Sequence, residues 1–299
     1  MKKVLITGTN GLLGQALVNE LEKKYQILPT GQEEKSPIPM NNDIYECFDI
    51  TNFSQCKNLI NEFAPDVIVN AASYTNVDDC ERNKEFCWQV NVKGVENLAQ
   101  LARRYDIHLL HYSTDYVFDG KNGPYDENEK PLPLGYYGKS KLASENVLRQ
   151  IGCPFTIIRT CVLYGTGREV KKNFFLWSLE NLREGSPIKV VTDQYNNPTL
   201  AEDLASGSML VIDQAAVGLY HMAGNEYLNR FDFVKNVATV FSLNEKLISP
   251  VETRELGQLA ERPLYGGLKI EHASDHLGYN PRSVNEALIY LKWKLRDNE

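Results

Sequence analysis

Short apolar runs alternate with stretches of helical periodicity through the first half of the chain. The strand-like runs are KKVLI, YQILPT, IYECFDI, DVIVNAA, HLLHYST and FTIIRTC, and each stops at Gly, Asn, Thr or Asp. Residues 12–25 place Leu13, Leu17 and Leu21 on one helical face, and residues 85–105 stay helical for long enough to cross a sheet. Strand, helix and strand in this order predict right-handed crossovers, and therefore an α/β fold with a doubly wound parallel sheet.

The pattern becomes less regular beyond about residue 165. It predicts a helix at 173–184, a strand in PIKVV, a helix from Ala201, a strand in GLYHMAG and a helix in NRFDFVKNVATVFSL. We therefore expect a Rossmann-type dinucleotide-binding domain over residues 1–165 and a smaller α/β substrate-binding lobe. That lobe takes up most of residues 166–299, and some of its segments return to the first domain.

Composition and charge narrow the class of protein. Hydrophobic residues make up 42% and charged residues 24%, as in ordinary globular domains. The formal charge of -7 argues against a nucleic-acid surface, which needs clustered Lys and Arg. Gly8 and Asn10 interrupt the N-terminal apolar run, which argues against a signal peptide or a membrane span. The six cysteines include no C-x-x-C pair, so we expect reduced thiols and no metal site. Together with the charge and the N-terminal sequence, this predicts a cytoplasmic protein without membrane or nucleic-acid partners.

The first predicted strand runs directly into the glycine-rich segment TGTNGLLG at the start of a helix. Glycines in that position let the backbone approach a pyrophosphate, and the helix N-terminus presents free N–H groups to it. A flexible capping loop is the alternative. The segment predicts dinucleotide binding by Gly8, Asn10, Gly11, Leu12, Leu13 and Gly14.

The second predicted strand leaves the choice of cofactor open. An acidic residue at its end would bind a ribose diol, whereas a basic residue would bind a 2′-phosphate. The strand ends in LPTGQEEK, where Glu33 and Glu34 come slightly late and Lys35 could serve a phosphate. Both NADH and NADPH therefore remain candidates.

The ends of the third, fourth and fifth strands supply further candidate cofactor contacts. Asp49, followed by Ile50, could accept a hydrogen bond from the adenine amino group, and a helix cap is the alternative role for this Asp. Small residues after the fourth strand would let a cofactor lie against the sheet edge, unless they serve only close packing. The candidate contacts at these two later strand ends are Ala71, Ala72, Ser73, Tyr74 and Ser113.

Three residues outline a carbonyl-reduction site. Thr114 ends the fifth strand, and Tyr137 and Lys141 lie one turn apart on the same face of the next helix. A hydride that reaches a ketone carbon leaves an alkoxide, which a phenol can protonate. We expect the Lys141 ammonium to lower the pKa of Tyr137 from about 10, and Thr114 to bind the substrate oxygen. Tyr136 and Lys139 point to other faces of this helix.

Several motifs together resemble the dTDP-4-dehydrorhamnose reductase family, within the extended short-chain dehydrogenase/reductases. They are GTNGLLG, NAASYTNVD, HYSTDYVFDG, YGKSKLASE, LYG, the PT of NNPT and the RP at 262, in family order. The resemblance implies Thr114, Tyr137 and Lys141 as catalytic residues, with Lys141 also holding the nicotinamide ribose. It implies NADPH- or NADH-dependent reduction of a nucleotide-linked 4-keto sugar, first of all dTDP-4-dehydro-L-rhamnose, in cell-surface polysaccharide synthesis. It also allows a homodimer.

The chain departs from the family pattern in the half that would hold the sugar. RTCVLYG stands where the family commonly has RTSWLYG, so Val162 replaces an expected Trp. The family usually carries a Ser three residues after the Pro of the RP segment, whereas this chain has Gly266 and Gly267 in RPLYGGLK. Arg262 would meet a diphosphate or form a structural salt bridge. Asn91 matches a residue with a structural or relay part in the superfamily. The candidate substrate contacts are Thr75, Val77, Asp115, Val162 and Arg262.

Two other functions remain as alternatives. An epimerase or dehydratase on the same scaffold would hold NAD+ and return the hydride, but dehydratases usually add an acidic pair and only Asp115 follows Thr114 here. The regulatory subunit of methionine adenosyltransferase also resembles this family and acts as a binding partner.

Overall fold

Strands and helices alternate in the structure, which is a computed structural model that describes residues 1–38 and 44–296. The strands are β1 (Lys3–Thr7), β2 (Gln26–Gly31), β3 (Glu46–Cys47), β4 (Val67–Asn70), β5 (His108–Thr114), β6 (Phe155–Thr160), β7 (Leu163–Tyr164), β8 (Ile188–Val191), β9 (Tyr195–Asn196), β10 (Thr199–Leu200), β11 (Gly218–His221), β12 (Leu228–Asn229) and β13 (Ile248–Val251). The α-helices are α1 (Leu12–Leu21), α2 (Phe53–Phe63), α3 (Val77–Arg82), α4 (Lys84–Trp88), α5 (Gly94–Tyr105), α6 (Tyr136–Ile151), α7 (Phe174–Arg183), α8 (Ala201–Gln214), α9 (Arg230–Phe241), α10 (Glu271–Leu277) and α11 (Val284–Arg296).

Seven strands form one sheet in the order β11-β6-β5-β4-β1-β2-β3. Every neighbouring pair in it is parallel. The strand order reverses between β1 and β4, and in such sheets ligands bind at the carboxyl ends of the strands beside this reversal. The predicted Rossmann-type α/β fold is confirmed, and strand β11 from the second half of the chain completes one edge of the sheet.

Two apolar cores cover the two faces of this sheet. Side chains alternate along a strand, so Val4 and Ile6 of β1 join the core that contains residues of α1 and α8. Leu5 joins the opposite core, which contains residues of α2, α5 and α6. All three side chains are fully buried, which explains why the predicted strand is a continuous apolar run.

The second half of the chain builds an additional core of its own. The parallel pair β8–β13 packs with α7, α9 and α11, and Phe175, Phe233 and Leu288 are buried there. Two further short pairs join β7 to β10 and β9 to β12. The apolar pattern predicts β8, α7 and α9, whereas β13 and α11 were not predicted.

The long predicted helix over residues 85–105 is interrupted. A π-helical turn at Gln89–Lys93 separates α4 from α5 and contains the buried Asn91. Such turns occur frequently at functional sites because the extra residue changes the direction of side chains.

Other predicted boundaries shift by a few residues. Helix α1 ends at Leu21 instead of residue 25, and β3 takes up only Glu46–Cys47 of the run IYECFDI. All six cysteines are free, as predicted, and Cys47 is the exposed one. Within the described ranges, no helix combines the length and the apolar character needed to cross a membrane.

Candidate active site

Three glycines form the turn between β1 and α1, the glycine turn, and each leaves a different amount of space for a side chain. Gly8 has a φ of 70°, and a Cβ there would lie 2.7 Å from the backbone nitrogen of Ala72. A Cβ on Gly14 would lie 2.2 Å from the carbonyl oxygen of Gly8, so α1 packs directly on the turn. A Cβ on Gly11 would meet only that oxygen, at 3.4 Å. Gly11 is the N-cap of α1 and no side chain caps the helix, so its first N–H groups suit a pyrophosphate.

Polar contacts anchor the turn on both sides. The amide nitrogen of Asn10 donates to the Glu33 carboxylate at 2.6 Å and to the Tyr45 hydroxyl at 3.0 Å. The buried Gln15 donates to the carbonyl oxygens of Asn10 at 3.0 Å and Arg168 at 2.8 Å. The turn is therefore connected to the end of β2 and to the segment that follows β7. Leu12 and Leu13 open α1 and are partly buried.

At the end of β3, Asp49 does not cap the following helix. Its carboxylate accepts from the Thr51 N–H at 2.8 Å, whereas the side chain of Asn52 caps α2. The capping alternative for Asp49 is therefore wrong. Ile50 is buried beneath it, and its carbonyl oxygen accepts from Asn97 at 3.0 Å.

Asn91 holds the loop after β4 in place. Its side-chain oxygen accepts from the Ser73 hydroxyl at 2.9 Å and the Tyr74 N–H at 2.8 Å. Its nitrogen donates to the Tyr74 carbonyl at 3.0 Å and to Ser140 of α6 at 3.1 Å. One buried amide thus fixes the loop against the helix that carries Tyr137 and Lys141. Ala71 and Ala72 precede this loop and lie partly exposed at the sheet edge.

Thr114, Asp115 and Tyr137 meet at the carboxyl end of β5. The Thr114 hydroxyl donates to the Asp115 carboxylate at 3.1 Å, and both residues lie close enough to the Tyr137 phenol to influence its pKa. Burial raises the pKa of Tyr137, the Asp115 charge raises it further, and Thr114 opposes this rise. The expectation that Lys141 lowers this pKa is wrong, because burial dominates. Burial also raises the pKa of Asp115 to about 6.

Lys141 belongs to a buried polar chain that crosses three strands. Its Nζ atom lies 3.4 Å from Nε2 of His111, whose Nδ1 atom lies 3.1 Å from the Asn70 amide nitrogen. The Asn70 oxygen accepts from Thr7 at 2.6 Å, and Thr7 accepts from the Ala72 N–H at 3.2 Å. The chain links the lysine of α6 to the end of β1. Burial lowers the pKa of Lys141 to about 8.

The hydroxyl of Ser113 faces a buried ion pair. It donates to Glu145 at 2.6 Å, and Arg159 binds the same carboxylate through two hydrogen bonds of 2.8 and 2.7 Å. Among the described residues, this network accounts for the side chain of Ser113, so its backbone is what it can offer a cofactor. The arginine hydrogen bonds lower the pKa of Glu145, although burial opposes them.

The candidate substrate residues come from both halves of the chain. Val162 has a φ of 44°, a strained conformation for a β-branched residue. Arg262 binds Asp78 at 3.0 Å and the carbonyl oxygen of Ala260 at 3.0 Å, so it forms the salt bridge that the sequence left as an alternative. Thr75 is exposed in the loop after β4, and Val77 begins α3.

Neighbouring side chains leave little room for a Cβ at Gly266 or Gly267, the pair that departs from the family pattern. A Cβ on Gly266 would lie 3.0 Å from the Asp115 carboxylate. Gly267 has a φ of 83°, and a Cβ there would lie 2.8 Å from the ring of Tyr227. Asp115 and Tyr227 occupy space that side chains at these positions would need.

Arg230 was missed in the sequence. Its Nε atom is buried and lacks a hydrogen-bond partner in the described chain, and its guanidinium lies 4.6 Å from the Phe174 ring centre. Burial lowers its pKa, and the nearby Asp115 carboxylate opposes this effect. Arg230 is the first residue of α9, where a positive charge opposes the helix dipole. A basic residue at a predicted helix start is the signal that could have identified it.

Comparison with known proteins agrees with this architecture. The family model described as RmlD substrate binding domain matches residues 1–296. The chain belongs to the RmlD family. A relative named dTDP-4-dehydrorhamnose reductase, from Aggregatibacter actinomycetemcomitans, is 33% identical, with 98% of this chain and 99% of the relative covered.

Two further similarities bear on the role of this RmlD-family chain. A solved structure of dTDP-4-dehydrorhamnose reductase from Bacillus anthracis, in complex with NADP, superposes with a TM-score of 0.87 at 30% identity, covering 98% of this chain and all of that one (100%). The methionine adenosyltransferase 2 subunit beta of Danio rerio is 31% identical, with 88% of this chain and 81% of that protein covered. The family therefore includes a named enzyme and a named subunit of another enzyme.

Proposed function

We propose that the protein is an NAD(P)H-dependent reductase of the 4-keto group of a nucleotide-linked deoxysugar. The first substrate to consider is dTDP-4-dehydro-L-rhamnose, reduced to dTDP-L-rhamnose for cell-surface polysaccharides. The observation that carries the proposal is the buried group at the carboxyl end of β5, where Thr114 donates to Asp115 at 3.1 Å and both residues act on the Tyr137 phenol. Full-length similarity to a named dTDP-4-dehydrorhamnose reductase supports the same reaction.

The two halves of the chain divide the work in this proposal. Residues 1–165 hold the dinucleotide at the glycine turn and at the ends of β3 and β4. Residues 166–299 form most of the lobe that holds the sugar, and Asp115 and Val162 of the first half contribute to the same side. The bound cofactor supplies the hydride that reduces the carbonyl carbon.

Tyr137 acts as the general acid. A phenol whose pKa is raised by burial carries its proton at neutral pH, which is the state needed to protonate the oxygen left by hydride addition. Thr114, at the end of β5, can hydrogen-bond the substrate carbonyl oxygen and orient it towards the Tyr137 phenol. Lys141 lies one turn along α6 and holds the nicotinamide ribose.

On the substrate side, Arg230 binds an anionic part of the nucleotide sugar. A guanidinium with an unpartnered N–H near the reaction centre suits an oxyanion because it can donate several hydrogen bonds at once. Arg262, already bound to Asp78, keeps the loop before the glycine pair in position. Val162 and Asp115 line the sugar side, with Thr75 and Val77 at its rim.

A second candidate function is a binding subunit like that of methionine adenosyltransferase. The similarity to the Danio rerio subunit favours it. Against it stands the complete set of Thr114, Tyr137 and Lys141. An epimerase remains the third candidate, and it would retain a bound NAD+ through purification.

The test is reduction of the keto sugar by the purified protein. We expect dTDP-4-dehydro-L-rhamnose to be converted to the alcohol with loss of NADH or NADPH absorbance. No cofactor oxidation with any thymidine- or guanosine-linked 4-keto sugar would contradict the proposal. The proposal also includes a cytoplasmic location and a homodimer, and sedimentation analysis tests the dimer.

A further inference from the structure

Asn10 presents an unused acceptor at the glycine turn. Its Oδ1 atom is buried and receives no hydrogen bond from the described residues. The nitrogen of the same amide donates to Glu33 at 2.6 Å and to Tyr45 at 3.0 Å, so the orientation of the amide is fixed. A buried carbonyl oxygen without a donor is costly, which indicates that a ligand supplies the donor.

Glu33 brings a second acceptor to the same place. It follows β2 by two residues, but the loop folds back because the Tyr45 hydroxyl donates to the Glu33 carbonyl at 2.9 Å. A Cβ on Gly31, the last residue of β2, would lie 3.2 Å from the Glu33 carboxylate and 3.1 Å from the Asn10 amide nitrogen. The carboxylate therefore occupies the end of β2, where a Rossmann fold binds the adenosine ribose.

The Asn10 oxygen and the Glu33 carboxylate match a ribose with free 2′- and 3′-hydroxyls better than one with a 2′-phosphate. A 2′,3′-diol has two hydroxyl hydrogens to donate, one for each acceptor. A 2′-phosphate carries close to two negative charges and only acceptor oxygens at neutral pH, so it would be repelled by the carboxylate. Lys35, the nearest basic residue in sequence, is exposed and forms no ion pair at this turn in the described chain.

We propose that Glu33 and Asn10 form an acceptor site for the adenosine ribose diol and make the protein prefer NADH to NADPH. The proposal rests on dinucleotide binding at the glycine turn, as stated under Proposed function. It differs from the complex with NADP in the Bacillus anthracis reductase, a structure that is 30% identical.

The test measures binding of each cofactor directly. The dissociation constants of NADH and NADPH are determined by nicotinamide fluorescence for the wild type, Glu33→Ala and the control Glu34→Ala. Glu33 and Glu34 are both exposed, so neither substitution threatens the fold. We expect the wild type to bind NADH about tenfold more tightly than NADPH. Glu33→Ala should bring the two constants within about threefold of each other, and Glu34→Ala should keep the wild-type ratio.

Two results would overturn the proposal. One is a wild type that binds NADPH as tightly as NADH, and the other is an unchanged ratio in Glu33→Ala. A protein that shows the expected ratios but reduces none of the keto sugars would refute the proposed reductase and leave the cofactor preference standing.

Discussion

The Nζ atom of Lys141 lies 3.4 Å from Nε2 of His111, with both side chains buried. The Asn70 oxygen accepts from Thr7, so its amide nitrogen donates to Nδ1 of His111 and leaves the ring proton on Nε2. The ring then donates to Ser144 at 2.9 Å and offers the ammonium no acceptor. Burial lowers the pKa of His111, and the Lys141 charge lowers it further, so the ring stays neutral.

The lowered pKa of Lys141 predicts a pH-dependent stability. Burial lowers it from 10.5 to about 8, so between these values the unfolded chain binds more protons than the folded chain. The destabilising effect is complete below about pH 8, and stability recovers as the pH rises towards 10.5. We expect the wild type to gain roughly 2 kcal/mol relative to Lys141→Met between pH 8 and pH 10, measured by urea unfolding. Both proteins keep Tyr137, so its titration cancels, and parallel pH profiles would contradict the assignment.

Tyr137→Phe should abolish most of the reductase activity. The variant loses the proton donor, which typically costs a factor of roughly 10² to 10⁴ in turnover. NADH binding should stay within a few fold, as measured by fluorescence titration. The matched control is Tyr136→Phe, because Tyr136 is its neighbour on α6 and its ring lies beside Lys84. Equal turnover in the two variants would show that Tyr137 is not the proton donor.

Gly11 and Gly14 should respond differently to alanine. A methyl group on Gly14 would clash with the Gly8 carbonyl oxygen. The free energy of unfolding of Gly14→Ala should therefore be lower than that of the wild type by at least roughly 2 kcal/mol. Gly11→Ala has room for its methyl group, so its free energy of unfolding should stay within about 1 kcal/mol of the wild-type value. Its NADH affinity should nevertheless fall, because the methyl group occupies the pyrophosphate side of the turn. Wild-type affinity in Gly11→Ala would show that the cofactor lies elsewhere.

Asn91→Ala should weaken both stability and catalysis. The substitution leaves the partly buried N–H and C=O of Tyr74 without the partners that Asn91 supplies, at a cost of roughly 2–3 kcal/mol. Turnover should also fall, because Ser140 beside Lys141 loses its donor. Asn181→Ala, which removes one hydrogen bond within α7, is the control and should retain turnover. Unchanged kinetics in Asn91→Ala would restrict this amide to a packing role.

Arg230→Gln should raise the KM for the keto sugar. Loss of a charged hydrogen-bond donor to an oxyanion predicts an increase of roughly tenfold or more, with a smaller change in kcat. Arg254→Gln serves as the control, because Arg254 is 82% exposed and paired with Glu252. If Arg230→Gln keeps the wild-type KM, its guanidinium does not contact substrate.

The sheet could be predicted because its strands are short apolar runs with clear ends. The run HLLHYST coincides with β5, from His108 to Thr114, and that boundary places Thr114 at the sheet edge. Strand β13 pairs with β8 across nearly sixty residues of chain, and such a long-range pairing leaves no local signal.

The electrostatics of the site could not be predicted in the same way. The spacing of Tyr137 and Lys141 shows that they share a helical face, but burial sets their pKa values and depends on the surrounding elements. His111 lies inside an apolar strand, and nothing local indicates that it meets Lys141. Glu33 follows β2 too late for the usual pattern, and a contact with Tyr45 brings it back.

Transfer of deuterium from NADH that is dideuterated at C4 tests the central claim most directly. The account predicts that the purified protein converts dTDP-4-dehydro-L-rhamnose to an alcohol that carries deuterium at C4 of the sugar, with one cofactor oxidised per product. Mass spectrometry and NMR of the product read out both features. An unlabelled product, or sugar isomerised without net oxidation of cofactor, would contradict a reductase.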